Sequence, residues 1–342
     1  MTGVQTCALP ISPGFIAAAL VLFGTVSARA QINDEVIAAA KREGSVTLYA
    51  AFPSAPLYAA VTKSFQAKYG VRVDVLQIRA SELHERIRAE QAAGRFLGDV
   101  LQASDASTQL RIADRHVGRL GTIPNGRNMV PGMEPTEHRI GAFIGAFGIM
   151  VNTNLVKPED EPKSWTDLLD PRWKGKILLD DPRALGSGHT FFTGLQRLLG
   201  TDYHRKFVTN LPVLSRDVGA SERRVGLGEF PIWIPAATNG MRGLQGLPVR
   251  YIAPKEGLPH SVMDQSILTN APHPNAARLF VDHFASIEFQ TEVAAIGFLP
   301  VLRDMEQRMP PQLQPFARAP LLPSLQVETQ QQMLNLASEL YK

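Results

Sequence analysis

Short apolar segments alternate regularly with amphipathic ones over the first third of this chain, and this alternation constrains the fold more than any other feature. Three segments, 45–51, 71–78 and 98–103, have the apolar and β-branched residues of strands, and each is followed by apolar residues at helical spacing. Such alternation predicts an α/β sheet with helices on both faces. In sheets of this class, ligands bind at the edge where strands end and helices begin.

Small polar residues follow each of the three predicted strands. They are Ser54, Ser81, and Ser104 with Asp105. A single serine at a helix start is most often an N-cap. Because three successive corners on one sheet edge carry such residues, we expect all four side chains to take part in ligand binding. Asp105 has two open interpretations: it binds an amine of the ligand, or it caps the helix that follows.

A similar corner occurs in the second half of the chain, within the stretch 164–189. A predicted strand, 176–180, leads to Gly186-Ser187-Gly188, which opens another helix. A strand that ends in this way leaves free backbone N–H groups at the helix start, which suits an anionic ligand. We therefore expect Ser187 and Gly188 to bind the ligand. The alternative is that Ser187 only caps the helix.

The stretch 139–152 is long for one strand and rich in glycine, and we interpret it as a crossing between two lobes. We expect residues 31–138 and 258–300 to form lobe 1, and residues 139–257 and 301–342 to form lobe 2.

The N-terminal 30 residues have the features of a signal peptide. An apolar run, 15–26, precedes Ala28-Arg29-Ala30, an A-x-A cleavage site, which predicts export to the periplasm. Residues 1–14 contain no Lys or Arg, which favours a misassigned start or a foreign sequence at the front. Cleavage would remove Cys7, the one cysteine of the sequence, and would exclude disulfides and thiolate chemistry.

Nothing in the sequence favours catalysis or nucleic-acid binding. The net charge is +3 and the basic residues are scattered among acidic ones. His84-Glu85 does not continue into H-E-x-x-H, and no Walker A or G-x-S-x-G motif occurs. We predict no enzyme activity, no cofactor and no resident metal. The alternative is a secreted hydrolase that uses Ser187 and His189, whose side chains would point apart on a helix.

Several long segments resemble one known family, and they are 41–51, 65–101, 164–188 and 271–290. They are similar to bacterial extracellular solute-binding proteins of ABC importers, in particular the subgroup that binds ferric iron and small anions. The resemblance implies the type 2 periplasmic binding fold, an α/β fold of two lobes with a doubly wound sheet in each. It also implies a monomer that closes on a solute by hinge bending and delivers it to an inner-membrane ABC permease.

The iron binders of this family carry two adjacent tyrosines after a strand of the second lobe. The corresponding stretch here, 230–240, contains no tyrosine and has Thr238 and Asn239 instead. These side chains offer neutral hydrogen bonds, whereas Fe(III) prefers anionic oxygen ligands. We therefore expect Thr238 and Asn239 to bind a small polar or anionic organic solute, such as a phosphonate, a sugar phosphate or a polyamine. The alternative is ferric-iron binding.

Overall fold

The computed structural model describes residues 1–3, 32–323 and 329–342. The predicted signal peptide therefore lies outside the described residues, apart from the first three. The described residues from 32 to 342 form one compact unit. No helix in the described part of the chain is both long enough and apolar enough to span a bilayer.

The described residues contain strands and helices in the following positions. The strands are β1 (Ser45–Ala50), β2 (Arg72–Gln77), β3 (Val100–Ser104), β4 (Ile140–Asn152), β5 (Ile177–Asp180), β6 (Val213–Ser215), β7 (Ile232–Ala237), β8 (Val249–Ile252) and β9 (His260–Ile267). The helices are α1 (Asp34–Glu43), α2 (Ala55–Tyr69), α3 (Ala80–Ala92), α4 (Asp105–Ala113), α5 (Ser187–Phe207), α6 (Val218–Gly226), α7 (Pro274–Phe284), α8 (Ile287–Ile296), α9 (Gln314–Arg318) and α10 (Gln330–Leu340).

The predicted alternation of strands and helices in the first third of the chain is confirmed. β1, β2 and β3 pair in parallel, with β1 between the other two, and each is followed by a helix. Glycines end two of the preceding helices: Gly44 after α1 and Gly70 after α2 both have positive φ, which glycine adopts without strain. Parallel pairing follows from these helical crossovers, since consecutive parallel strands need a long connection.

The sheet in the described residues follows the order β2-β1-β3-β9-β4-β7-β5-β6, and β8 also pairs with β4. β4 belongs to two parts of the sheet. Its first residues, from Ile140 to Ala146, pair with β9, and its last residues, from Phe147 to Asn152, pair with β7 and β8. We call the strands β1, β2, β3 and β9 with the start of β4 the first half-sheet, and β5 to β8 with the end of β4 the second half-sheet.

The strand ends of the two half-sheets face each other along β4. β3 ends at Ser104, which lies opposite Met263 of β9, and Met263 lies opposite Phe143 of β4. β7 ends at Ala237, which lies opposite Phe147 of the same strand. β5 and β6 are parallel to β7. The carboxyl ends of both sets of parallel strands therefore point toward the short segment of β4 between Phe143 and Phe147.

Each half-sheet has two apolar clusters among the described residues, and the larger one of each is named the first or the second cluster after its half-sheet. Phe143 and Phe280 lie in the first cluster, and Trp165, Phe191 and Phe207 lie in the second. The C-terminal region 301–342 contributes to both clusters. Its buried residues up to 316 belong to the first cluster, and its buried residues from 322 to 341 belong to the second. The lobe boundaries given above remain a prediction.

A break in helical geometry at Gly200, with φ of 74° and ψ of 179°, divides α5 into two helical parts, one before and one after this residue. In β7, Trp233 is completely buried, as the apolar pattern of that strand favours.

Candidate functional site

The start of α4 is capped by Ser104. Its Oγ accepts a hydrogen bond from the backbone N of Ser107 at 3.4 Å and donates one to the Oγ of Ser107 at 3.1 Å. Asp105, the first residue of the helix, is therefore not the cap. Its carboxylate lies 3.6 Å from Nε of Arg139 instead. The capping interpretation of Asp105 is wrong because the preceding serine already occupies that role.

Arg139 connects Asp105 to a second, buried carboxyl. Its Nη1 donates to Oδ1 of Asp264 at 3.2 Å, and Asp264 has no exposed surface. Oδ2 of Asp264 has no hydrogen-bond partner among the described residues. Burial, together with the charge of Asp105, raises the pKa of Asp264 to about 7 against the opposing effect of Arg139. One arginine thus serves two carboxyl groups at this edge of the first half-sheet.

The other two serines of the first half-sheet differ in position. Ser54 occupies the N-cap position of α2 and is buried, but its side chain makes no capping hydrogen bond. Ser81 is exposed and is the second residue of α3, whose N-cap is Arg79. Ser81 is therefore not an N-cap, since the first turn of α3 closes between the backbone N of Leu83 and the carbonyl of Arg79.

The start of α5 already holds an anionic group, the side chain of Asp180 at the end of β5. Oδ2 of Asp180 accepts hydrogen bonds from Oγ of Ser187 at 2.5 Å and from the backbone N of Gly188 at 2.6 Å. The expectation of a free N–H group at Gly188 is therefore wrong. A carboxylate bound at a helix N-terminus satisfies the unpaired donors and interacts favourably with the helix dipole.

Gly188 is required at this position by the close approach of two chain segments. A Cβ atom at residue 188 would lie 2.1 Å from the carbonyl O of Asp180, which is backbone and cannot turn away. Ser187 and His189 do not form a catalytic pair. Ser187 donates to Asp180, and Nδ1 of His189 lies 3.1 Å from the carbonyl O of Pro182. This arrangement lacks the hydrogen bond between nucleophile and base that a hydrolase needs.

Sequence reasoning missed a pair of arginines at the same edge. Asp181 follows β5, and its side chain is only 3% exposed. Arg183 donates to it through its backbone N, Nε and Nη2 at 2.8–3.0 Å, and Arg216, which follows β6, donates through Nε at 2.9 Å. Burial alone would raise the pKa of Asp181, but these hydrogen bonds lower it to about 2.

The arginine pair leaves donors available to solvent. The side chain of Arg216 is 68% exposed and that of Arg183 is 34% exposed. Two guanidinium groups around one carboxylate give a net charge of one positive unit. The backbone N of Asp181 also donates to the carbonyl of Ser215 at 2.8 Å, which fixes the ends of β5 and β6 side by side. The sequence signal for this arginine site was Asp180-Asp181-Pro182-Arg183, where acidic and basic residues stand close together at the end of a strand.

Thr238 and Asn239 follow the end of β7. Thr238 is fully buried and its Oγ1 has no partner in the described residues, whereas Asn239 is half-buried. Their backbone packs against Gly297, which ends α8. A Cβ atom at residue 297 would lie 2.8 Å from both the carbonyl O of Thr238 and Cα of Asn239. This turn therefore connects the second half-sheet to a helix end of the first.

A second, partly buried acid, Glu222 of α6, also escaped sequence reasoning. A Cβ atom at Gly240 would lie 2.5 Å from Oε1 of Glu222 and 3.1 Å from the hydroxyl of Tyr251, so both side chains converge on this glycine. The Tyr251 hydroxyl is buried and has no partner in the described part of the chain. Burial raises the pKa of Glu222 to about 7. Nothing in the local sequence distinguishes Glu222 from a surface residue.

The structure thus distributes the eight predicted residues over two facing sheet edges. Ser54, Ser81, Ser104 and Asp105 follow the strands of the first half-sheet, and Ser187, Gly188, Thr238 and Asn239 follow those of the second. Within residues 1–3, 32–323 and 329–342, no group of three or more His, Cys, Asp or Glu side chains could hold a metal ion. The two edges together supply hydroxyl groups, the carboxyl groups of Asp105 with Asp264 and of Asp180 with Asp181, and the arginine pair on Asp181.

A family model and several known proteins match this chain. Residues 124–320 match the model of the family described as "Bacterial extracellular solute-binding protein". An uncharacterized protein of Haemophilus influenzae is 23% identical over 293 residues, which are 82% of this chain and 80% of that protein.

Solved structures show the same fold. Iron-bound HitA of Pseudomonas aeruginosa is 21% identical with a TM-score of 0.70, over 86% of this chain and 99% of that one. The periplasmic binding protein AfuA of Actinobacillus pleuropneumoniae, with fructose-6-phosphate bound, is 22% identical with a TM-score of 0.67, over 87% and 98%. The predicted α/β, two-lobed periplasmic-binding fold is confirmed.

Proposed function

The chain belongs to the family of bacterial extracellular solute-binding proteins, the periplasmic components of ABC importers, and we propose that its solute is a small organic anion that also carries hydroxyl or amine groups. The solute is captured between the two facing sheet edges and delivered to an inner-membrane permease without chemical change. Phosphonates and sugar phosphates fit this description.

The observation that carries the proposal is the exposed arginine pair on Asp181. A guanidinium group binds phosphonate, phosphate or carboxylate oxygens in a planar, two-pronged geometry. Asp181 fixes Nε of Arg216 and leaves both of its Nη atoms without a partner among the described residues. Because the hydrogen bond to Asp181 orders the side chain in advance, a ligand that binds it loses less conformational entropy. The anionic group of the solute binds here, beside Ser187.

The opposite edge favours the polar, non-anionic part of the solute. Ser54, Ser104 and Asp105 lie at this edge, at the starts of α2 and α4. Arg139 connects Asp105 to the buried Asp264. Two carboxyl groups served by one arginine repel an anion but accept hydrogen bonds from hydroxyl or ammonium groups. The predicted site residues thus divide into an arginine-bearing edge for the anion and an acidic edge for its substituents.

The structural relative HitA was solved with iron bound, but the residues present in this chain favour an organic anion. Fe(III) requires several anionic oxygen ligands. The aspartates at these edges already have partners within the chain. Asp180 binds Ser187 and Gly188, and Asp181 binds the arginine pair. Asp105 lies beside Arg139. The bound fructose-6-phosphate of AfuA, in contrast, is an organic anion with hydroxyl groups.

A thermal-shift series tests the proposal directly. The purified protein is incubated with phosphonates, sugar phosphates, dicarboxylates, polyamines and ferric citrate, one at a time. A solute present at about 100 times its Kd stabilises the folded state by about 2.7 kcal/mol, which gives a clear rise in Tm. We expect the rise with one class of organic anion. A rise with ferric salts alone, or with polyamines alone, would contradict the proposal.

The series is repeated with Arg216→Gln and with Arg205→Gln as the matched control. Arg205 is similarly exposed, at 63%, and pairs with an exposed Asp202 away from the strand ends. We expect the solute-induced rise in Tm to shrink in Arg216→Gln and to stay unchanged in Arg205→Gln. Equal shifts in both variants would remove the arginine pair from the site.

A further inference from the structure

The partly buried acid Glu222 lies at the edge of the second half-sheet where its parallel strands end. α6 leads from the end of β6 to β7, and it packs against β4, β7 and the turn 238–244 that follows β7. Oγ of Ser221 donates to Oγ of Ser215 at 2.8 Å, which ties the start of α6 to the end of β6. These two serines directly precede Glu222 and Arg216 in the chain. Glu222 therefore belongs to the same edge as the arginine assigned to the solute anion.

The Glu222 carboxyl is directed toward the turn that carries Thr238 and Asn239. A Cβ atom at Gly240 would lie only 2.5 Å from Oε1 of Glu222. The carboxyl makes no hydrogen bond with any described residue. Its oxygens remain accessible to solvent, in contrast to the Tyr251 hydroxyl on the same turn, which is buried. A solute can thus reach this carboxyl, which lacks the internal partner that a withdrawn polar group normally has.

The charges around Glu222 set its ionisation. The ionisable residues on α6 and on the elements around the carboxyl are Asp217, Arg223, Arg224, Arg242, Arg250 and Tyr251. Asp217, Arg224 and Arg250 already have partners within the chain. Burial raises the pKa of Glu222 to about 7 against the opposing charge of Arg223. Near neutral pH the group therefore exists in both its protonated and its ionised form.

An anion at this edge favours the protonated form of Glu222. A carboxylate beside a phosphonate or phosphate group repels it, whereas a carboxylic acid donates a hydrogen bond to one of its oxygens. A guanidinium group engages two oxygens of an anion in its planar geometry. A phosphonate or a phosphate monoester has a third oxygen for Glu222, and a carboxylate does not.

We propose that Glu222 is a further solute-binding residue, which donates a hydrogen bond from its protonated carboxyl to the phosphonate or phosphate group of the solute. Capture of the anion is then coupled to uptake of one proton from solvent by Glu222, and no covalent bond of the solute changes. This inference rests on the proposed function, since it needs an organic anion at the arginine pair.

Calorimetric titration of 2-hydroxyethylphosphonate and of fructose-6-phosphate at pH 6 and pH 8.5 tests the inference. Glu222→Gln is compared with the unmodified protein, because an amide donates at every pH and a carboxyl only when protonated. Ionisation of the probe affects both proteins alike and cancels in the ratio of their Kd values. We expect similar Kd values at pH 6. At pH 8.5 the unmodified protein should bind about tenfold more weakly than Glu222→Gln.

Proton uptake gives an independent readout. Titrations at pH 8.5 in two buffers of different ionisation enthalpy count the protons bound with the solute. The unmodified protein should take up about one proton more than Glu222→Gln for each solute molecule. Equal uptake by the two proteins, or a ratio of Kd values that is the same at both pH values, would overturn the inference.

Glu229→Gln is the matched control. Glu229 follows the same helix, is 53% exposed and pairs with Arg224. The ratio of its Kd to that of the unmodified protein should not change between pH 6 and pH 8.5. A change as large as that of Glu222→Gln would show that the pH dependence does not come from Glu222, and would overturn the inference.

Arg216→Gln separates this inference from the proposed function. Loss of probe binding in Arg216→Gln together with a constant ratio for Glu222→Gln would keep the arginine site and refute the role of Glu222. Unchanged binding in Arg216→Gln would contradict the proposed function, and the inference would fall with it. If neither probe binds the unmodified protein at pH 6, the inference is overturned, while the proposed function is still decided by the other organic anions of the thermal-shift series.

Discussion

Oδ2 of Asp180 accepts a hydrogen bond from the hydroxyl of Ser187 at 2.5 Å, so the last residue of β5 caps the helix that begins seven residues later. The same oxygen accepts the backbone N–H of Gly188. The sequence predicts an anion site at the start of α5, and the Asp180 carboxylate of the same chain already fills it. The neighbouring carboxylate, Asp181, instead holds two arginines, and the anion-binding capacity of this edge moves to them.

Removal of the Asp180 carboxylate tests this arrangement. Asp180→Ala should lower the free energy of unfolding by about 1–2 kcal/mol, as for loss of a helix N-cap. In an Arg216→Gln background, which lacks the arginine proposed to bind the solute, it should also create a phosphate-dependent rise in Tm, because the helix N-terminus becomes open to an external anion. Urea denaturation and thermal shift measure the two effects.

Asp202→Ala is the control for this experiment. Asp202 is 84% exposed and pairs with an exposed arginine, so its loss should change stability by less than about 0.5 kcal/mol. Equal effects of the two alanine variants on the free energy of unfolding, or a phosphate response of Arg216→Gln as large as that of the Asp180→Ala, Arg216→Gln double variant, would refute the internal cap.

Two glycines of α5 give a matched pair of substitutions. Gly188→Ala places a methyl group 2.1 Å from the carbonyl O of Asp180 and should destabilise the fold by about 1–3 kcal/mol, the usual cost of forced overpacking. A methyl group at Gly194 meets its nearest atom at 3.6 Å, an ordinary contact. Gly194→Ala should be neutral or stabilising by up to about 1 kcal/mol, because alanine favours the helix. Urea unfolding of both variants is the measurement, and the reverse order of stabilities would show that the α5 start is packed differently.

The helix start itself could be predicted from the sequence, but its occupant could not. Gly186-Ser187-Gly188 after an apolar strand is a local pattern, and it correctly predicts where α5 begins. Whether Asp180 turns back to that helix depends on the path of the six residues between Asp180 and Ser187, which no local pattern specifies. The same holds for Arg216, which reaches Asp181 from the end of a neighbouring strand.

The sequence also could not predict which individual polar side chains are withdrawn from solvent. Glu222 lies in a charged segment typical of a solvated helix face, yet it converges with Tyr251 on Gly240. That contact depends on α6 lying against the turn that follows β7. By contrast, Trp233 sits in an apolar strand whose pattern favours the core, and the structure confirms this.

Glu222 makes the stability of the protein depend on pH. Its pKa is about 7 in the folded state and near 4.5 in the unfolded chain, so the folded protein holds the proton more tightly. Stability is therefore greatest below pH 4.5 with respect to this group and falls as the pH rises toward 7. Glu222→Gln removes the titration and should stabilise the protein by about 1–3 kcal/mol at pH 8 relative to the unmodified protein.

Urea denaturation of Glu222→Gln and the unmodified protein at pH 5, 6, 7 and 8 measures this effect. The difference in free energy of unfolding between the two should grow with pH over this range. Asp264 titrates in the same range in both proteins, so it cancels in the difference. A difference that is constant from pH 5 to pH 8 would show that Glu222 is ionised throughout.

The most direct test of the proposed solute class is a calorimetric titration of the most stabilising organic anion into the unmodified protein and into Arg216→Gln and Arg205→Gln. Loss of one charge-assisted hydrogen bond should raise the Kd of Arg216→Gln at least about tenfold, while Arg205→Gln keeps the original affinity. An unchanged Kd in Arg216→Gln, with its Tm preserved, would contradict capture of the anion by the arginine pair on Asp181.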